Sequence, residues 1–496
     1  MHNIGLFESR VQHVIREGIH RVSEEGMLTW LNQIKKNWDF YNGQQMQYLE
    51  PYPGEKIEEF NAKKKCPFNY TGAVVDEYIA GVYDMPVART FKSDVNNDIM
   101  KKITDKFPFD PFFKKVQKIA EISALCGVII RFDELSKQLF LEEIPSEYVK
   151  IYQNKKYADG VEHVIIAYPF DNEDGEGIKT RIEGWSREHV VVYETDGKNT
   201  REVYTAENEL KDEQGLPFIP IVFFRPDEDI HSPYGHTNID TIVEINHTYN
   251  SMWMDIMRTI QMQQFSLLFL KRPIDDRGEK PKPLTIAPTR MIEDGHKDAD
   301  AKYITPDPKI NESLEGLYRL REELLDLSKV PIEVMGAGTK RGVEAAATLR
   351  LKKMPLDRVW KKRKTAYSVP ERELGRKLIL MAKAVWDEGD FSDLFPQIDY
   401  SEAMQPTDPK EKMESEAFDL QLGLTNPFKM YLDRDPDIGG IDEAKKAVQN
   451  NFALTQEALG NIPSAKNLTN PKESVDDFVE RIKQFKQISH AVADKL

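Results

Sequence analysis

Between Asn238 and Gly342 the chain reads as a helix of low charge (Ile239 to Leu270), a segment broken by Pro273, Pro281, Pro283, Pro288, Pro306 and Pro308, a second helix (Glu312 to Lys329) and a glycine-bearing loop (Pro331 to Gly342). Proline lacks the backbone amide and clashes with the preceding turn, so regular helix is excluded from the middle segment. Two helices joined by a non-helical insertion make a hairpin with something carried on its tip. The remaining sequence must attach to the two ends of that hairpin. The first helix places Ile242, Ile245, Tyr249, Met252, Trp253, Ile256 and Ile260 on one stripe and adds uncharged polar residues at Asn246, Asn250, Gln261, Gln263 and Gln264. Such a face is either core of its own chain or buried against a neighbour, where uncharged polar groups are cheaper to desolvate than charges.

At 496 residues two to four domains are expected, and 40% hydrophobic with 30% charged residues is an ordinary globular balance. The first twenty-odd residues carry His2, Glu8, Arg10, Arg16 and Glu17, so they lack the apolar core of a secretory signal. No stretch approaches the ~18 apolar residues of a membrane span. The chain is expected to be made in the cytoplasm and to have no membrane partner. Cys66 and Cys126 imply no disulfide framework, and Cys126 lies in the apolar, strand-like run Leu125 to Ile130.

A net charge of −15 argues against a protein that coats nucleic acid, whose affinity comes from neutralising phosphates. It is compatible with one that nucleic acid slides past. The charge is unevenly placed: Leu349 to Lys383 holds 12 Lys/Arg against 3 Asp/Glu, and Asp387 to Glu443 holds 4 against 16. That switch is a boundary signal, and in a ring it would set opposite charges across subunits; two solvated faces is the plainer account.

Helical spacing of Leu28, Leu31, Ile34 and Trp38, and of Val75, Tyr78, Ile79 and Val82, predicts helices in the first hundred residues, with a strand over Val87 to Phe91. From Gly127 to Arg225 the period changes to strands, at 128–132, 139–144, 149–152, 161–168, 181–185, 190–194 and 221–224, with turn chemistry at Asp159-Gly160, 171–177 and Asp196-Gly197. We read these as one antiparallel meander in a mostly helical protein, hence an α+β class. Val343 to Trp386 is expected to be helical but kinked or split at Pro355 and Pro370. Asp408-Pro409-Lys410-Glu411 and Asn470-Pro471-Lys472-Glu473 each combine a cap, a proline at the first helical position and a glutamate that reaches back, so a small helical domain is expected from about Ala403, closing on an amphipathic helix over 474–496.

Motifs for chemistry are weak. Gly336-Ala337-Gly338-Thr339-Lys340 lacks the spacing of a phosphate loop and follows a helix where a strand is needed. His231 and His236 with Asp227, Asp229 and Asp240 match no metal-ligand pattern, and the acidic 171–177 turn lacks EF-hand spacing. No nucleophile elbow or catalytic cysteine context appears. Paired carboxylates for acid–base work stay open among 83 acidic residues, but no specific signal for a catalytic residue, metal site or cofactor site stands out, which favours a structural role.

The order of segments is more informative. Asn69 to Val87, a short helix closing on Gly81 before Pro86-Val87, is followed by the strand region, by Ile219-Pro220-Ile221-Val222-Phe223-Phe224, and by Gly235-His236-Thr237-Asn238-Ile239-Asp240 leading into a long helix near Tyr249-Asn250. With Asp399-Tyr400, Pro406 to Glu411, Leu422-Gly423-Leu424, Asp435-Pro436 and Ile441-Asp442-Glu443-Ala444, this order resembles the portal proteins of tailed bacteriophages, the long-tailed type best of all.

The resemblance implies a ring of subunits, commonly twelve, at one capsid vertex of the virion, surrounding a channel for DNA entry during packaging and exit during ejection. Implied partners are further copies of the chain, the terminase, the major capsid and scaffolding proteins, head-completion or adaptor proteins, and double-stranded DNA passing non-specifically. It further implies a wing at 1–237, a first stem helix at 238–270, a clip at 271–309, a second stem helix at 310–330, a tunnel loop at 331–342, wing helices at 343–400 and a crown at 401–496. Gly336, Gly338, Lys340, Arg341 and Gly342 would then face the DNA channel, and Ile242, Tyr249, Trp253, Ile256 and Ile260 would contact the neighbouring subunit. Competing readings are a metal-dependent nuclease and a non-portal scaffold.

Overall fold

The computed structural model describes residues 2–17, 25–63, 65–154, 160–171, 178–196, 198–229, 232–263, 267–271, 300–304, 310–332 and 346–401, with a few isolated positions. The chain divides into two compact units, Met1–Gln405 and Pro406–Leu496. The first contains, in order, α1 (His2–Glu17), α2 (Glu25–Tyr41), α3 (Ile57–Asn61), α4 (Tyr70–Ala80), β1 (Val87–Thr90), α5 (Asp94–Thr104), α6 (Phe109–Ser123), β2 (Cys126–Asp133), β3 (Gln138–Pro145), β4 (Val149–Gln153), β5 (Val161–Asp171), β6 (Ile178–Ser186), β7 (His189–Thr195), β8 (Thr200–Glu207) and β9 (Ile221–Phe224). There follow α7 (Ile239–Gln263), β10 (Leu267–Lys271), β11 (Asp300–Ile304), α8 (Ile310–Ser328), α9 (Ala346–Trp386) and β12 (Gln397–Tyr400). The class is α+β, as the sequence predicts.

The strands do not form one meander. A three-stranded sheet runs β3-β2-β9 and a five-stranded sheet runs β4-β5-β6-β7-β8, antiparallel throughout. The break falls at Pro145, where a turn of 3-10 helix separates β3 from β4 and the Ser146 hydroxyl donates to the Ser123 carbonyl. β2 is the centre of its sheet, and its run Cys126 to Ile130 is buried on both faces, which explains a continuous apolar stretch in place of alternation. The second sheet is also covered on both faces. Phe7, Val11 and Val14 of α1 meet Ile165, Ile182 and Val191 on one side, and Val149, Val164 and Ile166 meet Leu125, Ile129 and Ile144 on the other. β8 is absent from the sequence reading because Thr200 to Glu207 has no apolar face; the strand is held by its backbone ladder to β7.

Two helical expectations also change. The first hairpin helix ends at Gln263 and not near Leu270, because Leu267–Lys271 pairs as a strand with Asp300–Ile304. Backbone pairing there overrides the helical continuation. α9 is one helix of 41 residues, so Pro355 and Pro370 do not split it. Each interior proline costs about 3 kcal/mol in an isolated helix. Here Leu356, Trp360, Tyr367, Leu374 and Leu378 are buried around both prolines and offset that cost. The capped helices expected at 408–411 and 470–473, the final amphipathic helix and most of the proline-rich segment lie outside the described residues.

α4, α6, β2, β9, the start of α7 and the middle of α9 share the main core. β1 and β12 pair antiparallel, Val87 opposite Tyr400, which ties the segment after α9 back to the beginning of the unit.

Candidate functional site

The hairpin of α7 and α8 and the helix that follows it concentrate the residues singled out in the sequence. α7 begins after Gly235, whose φ of +77° lies in the left-handed region and whose added Cβ would come within 2.6 Å of the Asp227 carbonyl oxygen. Only glycine fits that approach. The Thr237 hydroxyl then donates to the Glu121 carbonyl and accepts from the Ile239 amide, starting the helix.

The face of α7 carrying Ile239, Ile242 and Val243 enters the main core with Leu324 and Leu325 of α8 and Leu356 and Trp360 of α9. Further along, Tyr249 and Ile256 close on Leu317 of α8, with Trp253 and Ile260 packed half-buried beside them. Of the five residues expected to contact a neighbouring subunit, Ile242 thus packs in the main core and Tyr249, Trp253, Ile256 and Ile260 in a second cluster with α8, all within one chain. Asn246 and Asn250 of the polar face are also engaged internally. Asn246 donates to the Phe68 carbonyl at 2.8 Å and accepts from the Thr71 amide and hydroxyl at 3.1 Å; Asn250 accepts from the Phe68 amide at 2.8 Å. These bonds pin the segment that opens α4. Lower down, Lys63 bridges Glu55 and Asp255 at 2.8 and 2.9 Å.

α8 turns one stripe inward (Leu317, Leu324, Leu325, Ser328) and presents Glu315, Tyr318, Arg319, Glu322, Glu323, Asp326 and Leu327 outward. It ends at Lys329, at a left-handed φ of 61°, where the Ser328 carbonyl accepts from the buried Tyr78 hydroxyl at 2.7 Å.

α9 is fixed by two buried ionic clusters. Arg363 sits with its Nε 2.7 Å from Glu121 Oε1, donates from Nη2 to Oε2 at 3.0 Å and from Nη1 to the Pro226 carbonyl at 2.7 Å, while Tyr367 donates to Glu121 at 3.2 Å. Burial works against the Arg363 charge, and Glu121 more than restores it, holding the guanidinium above its ordinary value. One helical turn on, Glu371 accepts from Tyr83, Tyr400 and Arg89 at 2.5, 2.6 and 2.8 Å. Burial and the adjacent carboxylates push the Tyr83 and Tyr367 phenols well up, so both act as donors. Gly81 completes the contact: a Cβ there would overlap the indole of Trp360, which donates to the Glu77 carbonyl at 2.8 Å.

Between the end of α8 and the start of α9 lies a cleft of about 580 Å³ with Lys329, Lys352, Arg358 and Lys362 around it and, among the described residues, Asp326 as its one acid. The Lys362 ammonium donates to Asp227 at 2.5 Å. Pro331, where the glycine-bearing loop begins, lines this cleft; Gly336, Gly338, Lys340, Arg341 and Gly342 lie outside the described residues. The structure does not gather His236, Asp227, Asp229 and Asp240 as ligands. Asp240 accepts from Asn37 at 2.7 Å, and among the described residues no group of three or more His, Cys, Asp or Glu is arranged to hold a metal. Also among the described residues, no helix is long and apolar enough to cross a membrane.

The sequence reading missed Glu121 and Glu371 as organising acids. The available signal was a glutamate inside an apolar helical run, Ile119-Ala120-Glu121-Ile122, whose partner lies more than two hundred residues away. It also missed the outward face of α8.

Comparison with known proteins gives a match of residues 22–403 to the family described as phage portal protein, SPP1 Gp6-like. A search of curated proteins finds no match. Among solved structures, the neck of a native GTA particle computed with C12 symmetry aligns over 72% of this chain and 86% of that chain, at 10% identity and a TM-score of 0.38, a distant likeness.

Proposed function

This chain belongs to the phage portal proteins of the SPP1 Gp6-like family, and from that premise we propose that it works as a closed homo-oligomeric ring at one capsid vertex, the channel through which DNA enters during packaging and leaves during ejection. The observation that carries the reading is the extent of the family match, which takes in both hairpin helices, the segment between them and the long helix after them. Residues 1–237 with 343–400 act as the wing, α7 and α8 as the stem, the segment between them as the clip, 331–342 as the tunnel loop and 401–496 as the crown. The clip is the docking end for the terminase and later for head-completion proteins, and the wing and crown face the capsid and scaffolding proteins. The chemistry is structural: the reading assigns no catalytic residue.

A net charge of −15 supports a conduit whose wall repels phosphates, so that DNA moves without a deep electrostatic trap. Lys340 and Arg341 are the exceptions, touching the backbone transiently and resisting slippage while Gly336, Gly338 and Gly342 let the loop shift. The cations flanking the loop, Lys329 and Lys352, support a local attraction on an otherwise acidic molecule.

Native mass spectrometry of the purified chain tests the ring. A single closed oligomer, binding duplex DNA weakly and losing it as salt rises, is expected. A monomer at all concentrations, or magnesium-dependent cleavage of the DNA, overturns the reading in favour of a scaffold or a nuclease. Replacing Lys340 and Arg341 together by alanine should lower packaging yield or DNA retention; unchanged values for both remove the loop's role.

A further inference from the structure

The outward faces of α8 and α9 carry opposite charge. On α8 the exposed charged side chains of the distal half are Glu322, Glu323 and Asp326. On α9, between Thr348 and Ala382, the exposed charged side chains are all cations, Arg358, Lys361, Lys362 and Arg372. Glu322, Glu323, Arg358 and Lys361 form no ion pair with any described residue of their own chain, whereas Lys362 is paired with Asp227. A helix face built this way is solvated or meets an oppositely charged surface.

Apolar groups interleave with these charges. Tyr318 and Leu327 are each 52% exposed on α8, and Leu351 and Val369 are each 67% exposed on α9. Isolated exposed apolar side chains are ordinary. Here they recur along the same two helices that segregate charge, the pattern of an interface with apolar contacts inside a charged rim. Both faces are rigidly mounted, α8 through Tyr78 on the Ser328 carbonyl and α9 through Glu121 and Glu371. Neither face is self-complementary, so two copies cannot close on each other through one of them by a twofold axis; one face must meet the other, head to tail.

We infer that the acidic outward face of α8 docks on the cationic stripe of α9 in the next copy of this chain, Glu322 and Glu323 of one copy facing Arg358 and Lys361 of the other. The inference rests on the ring reading above and names its contact. A head-to-tail contact between two distinct faces repeats from copy to copy and closes when the rotation allows. Opposite charges across it fix register and exclude wrong pairings.

Two variants test this. One carries Glu322→Lys with Glu323→Lys, the other Arg358→Glu with Lys361→Glu. All four positions are exposed, so each variant should unfold at the wild-type denaturant midpoint. Alone, each brings like charges together at every contact and should need at least about tenfold higher concentration than wild type to form rings. Mixed in equal amounts, they offer opposite charges at every contact when they alternate, so the mixture should regain rings with equal numbers of the two, resolved by native mass spectrometry. Rings from either variant alone at the wild-type concentration, or folded variants whose mixture stays unassembled, overturn the inference. Should a charge reversal unfold the chain, Glu322→Gln with Glu323→Gln and Arg358→Gln with Lys361→Gln take its place; each must then raise the assembly concentration and flatten its salt dependence, and no change overturns the inference. Wild type assayed alongside separates the two levels: wild-type rings with indifferent variants defeat this contact alone, and absence of wild-type rings defeats the portal reading itself.

Discussion

Glu121 is fully buried and its guanidinium partner Arg363 is 3% exposed, so each charge depends on the other. Glu121→Ala leaves Arg363 buried and uncompensated, and a loss of about 3–5 kcal/mol is expected in chemical unfolding. Replacing both by apolar residues, Glu121→Leu with Arg363→Met, should recover most of it; equal losses in the single and double variants would show that the pair is not coupled. His163 gives a pH dependence. Burial, aided by the Arg10 guanidinium 2.6 Å from Nδ1, pushes the imidazole down from 6.5 to about 4. Between those values the unfolded chain binds a proton that the folded chain does not, so the stability is fully present above pH 6.5 and declines as pH falls toward 4. By pH 5 the decline is about 2 kcal/mol. Thermal unfolding at pH 7 and pH 5 should show a larger drop for wild type than for His163→Gln, and parallel drops would contradict it.

At the scale of elements, the contact between α4 and α9 turns on Gly81. Gly81→Ala drives a methyl group into Trp360 and should destabilise by about 1–3 kcal/mol, as overpacking does. Gly81→Ala with Trp360→Leu tests the cause, because the added methyl group then has room; no recovery in the unfolding midpoint would place the strain elsewhere. Asn246→Ala should cost about 1–3 kcal/mol by leaving the buried Thr71 amide without its acceptor. Helices with strong periodicity were readable from sequence, α4 and α8 among them, and so were strands with turn residues at their ends. β8 was not, since nothing in Thr200 to Glu207 alternates. The division of the strands into two sheets was hidden because β9 returns to β2 across some ninety residues, and the pairing of β1 with β12 across some three hundred. Periodicity gives the face of an element but not the partner of that face. For the same reason Ile242, Tyr249 and Ile256 were legible as a buried stripe, and only the structure shows that α8 and the main core of the same chain bury them.

At the scale of the whole molecule, family and class were legible from the order of segments, which survives divergence better than individual residues do. The charge switch near residue 386 was visible too, and the structure adds a set of exposed acids on α8, Glu322, Glu323 and Asp326. Single-chain packing accounts for the interior of the hairpin and leaves Glu322 and Glu323 of α8, and Arg358 and Lys361 of α9, without an ion-pair partner among the described residues. The central claim is that this chain acts as a channel-bearing ring. Electron microscopy of the purified, assembled protein measures that most directly. End-on views should show closed rings of one subunit number with an open axial channel wide enough for a DNA duplex. Filaments, compact dimers or discs without a central opening would contradict it.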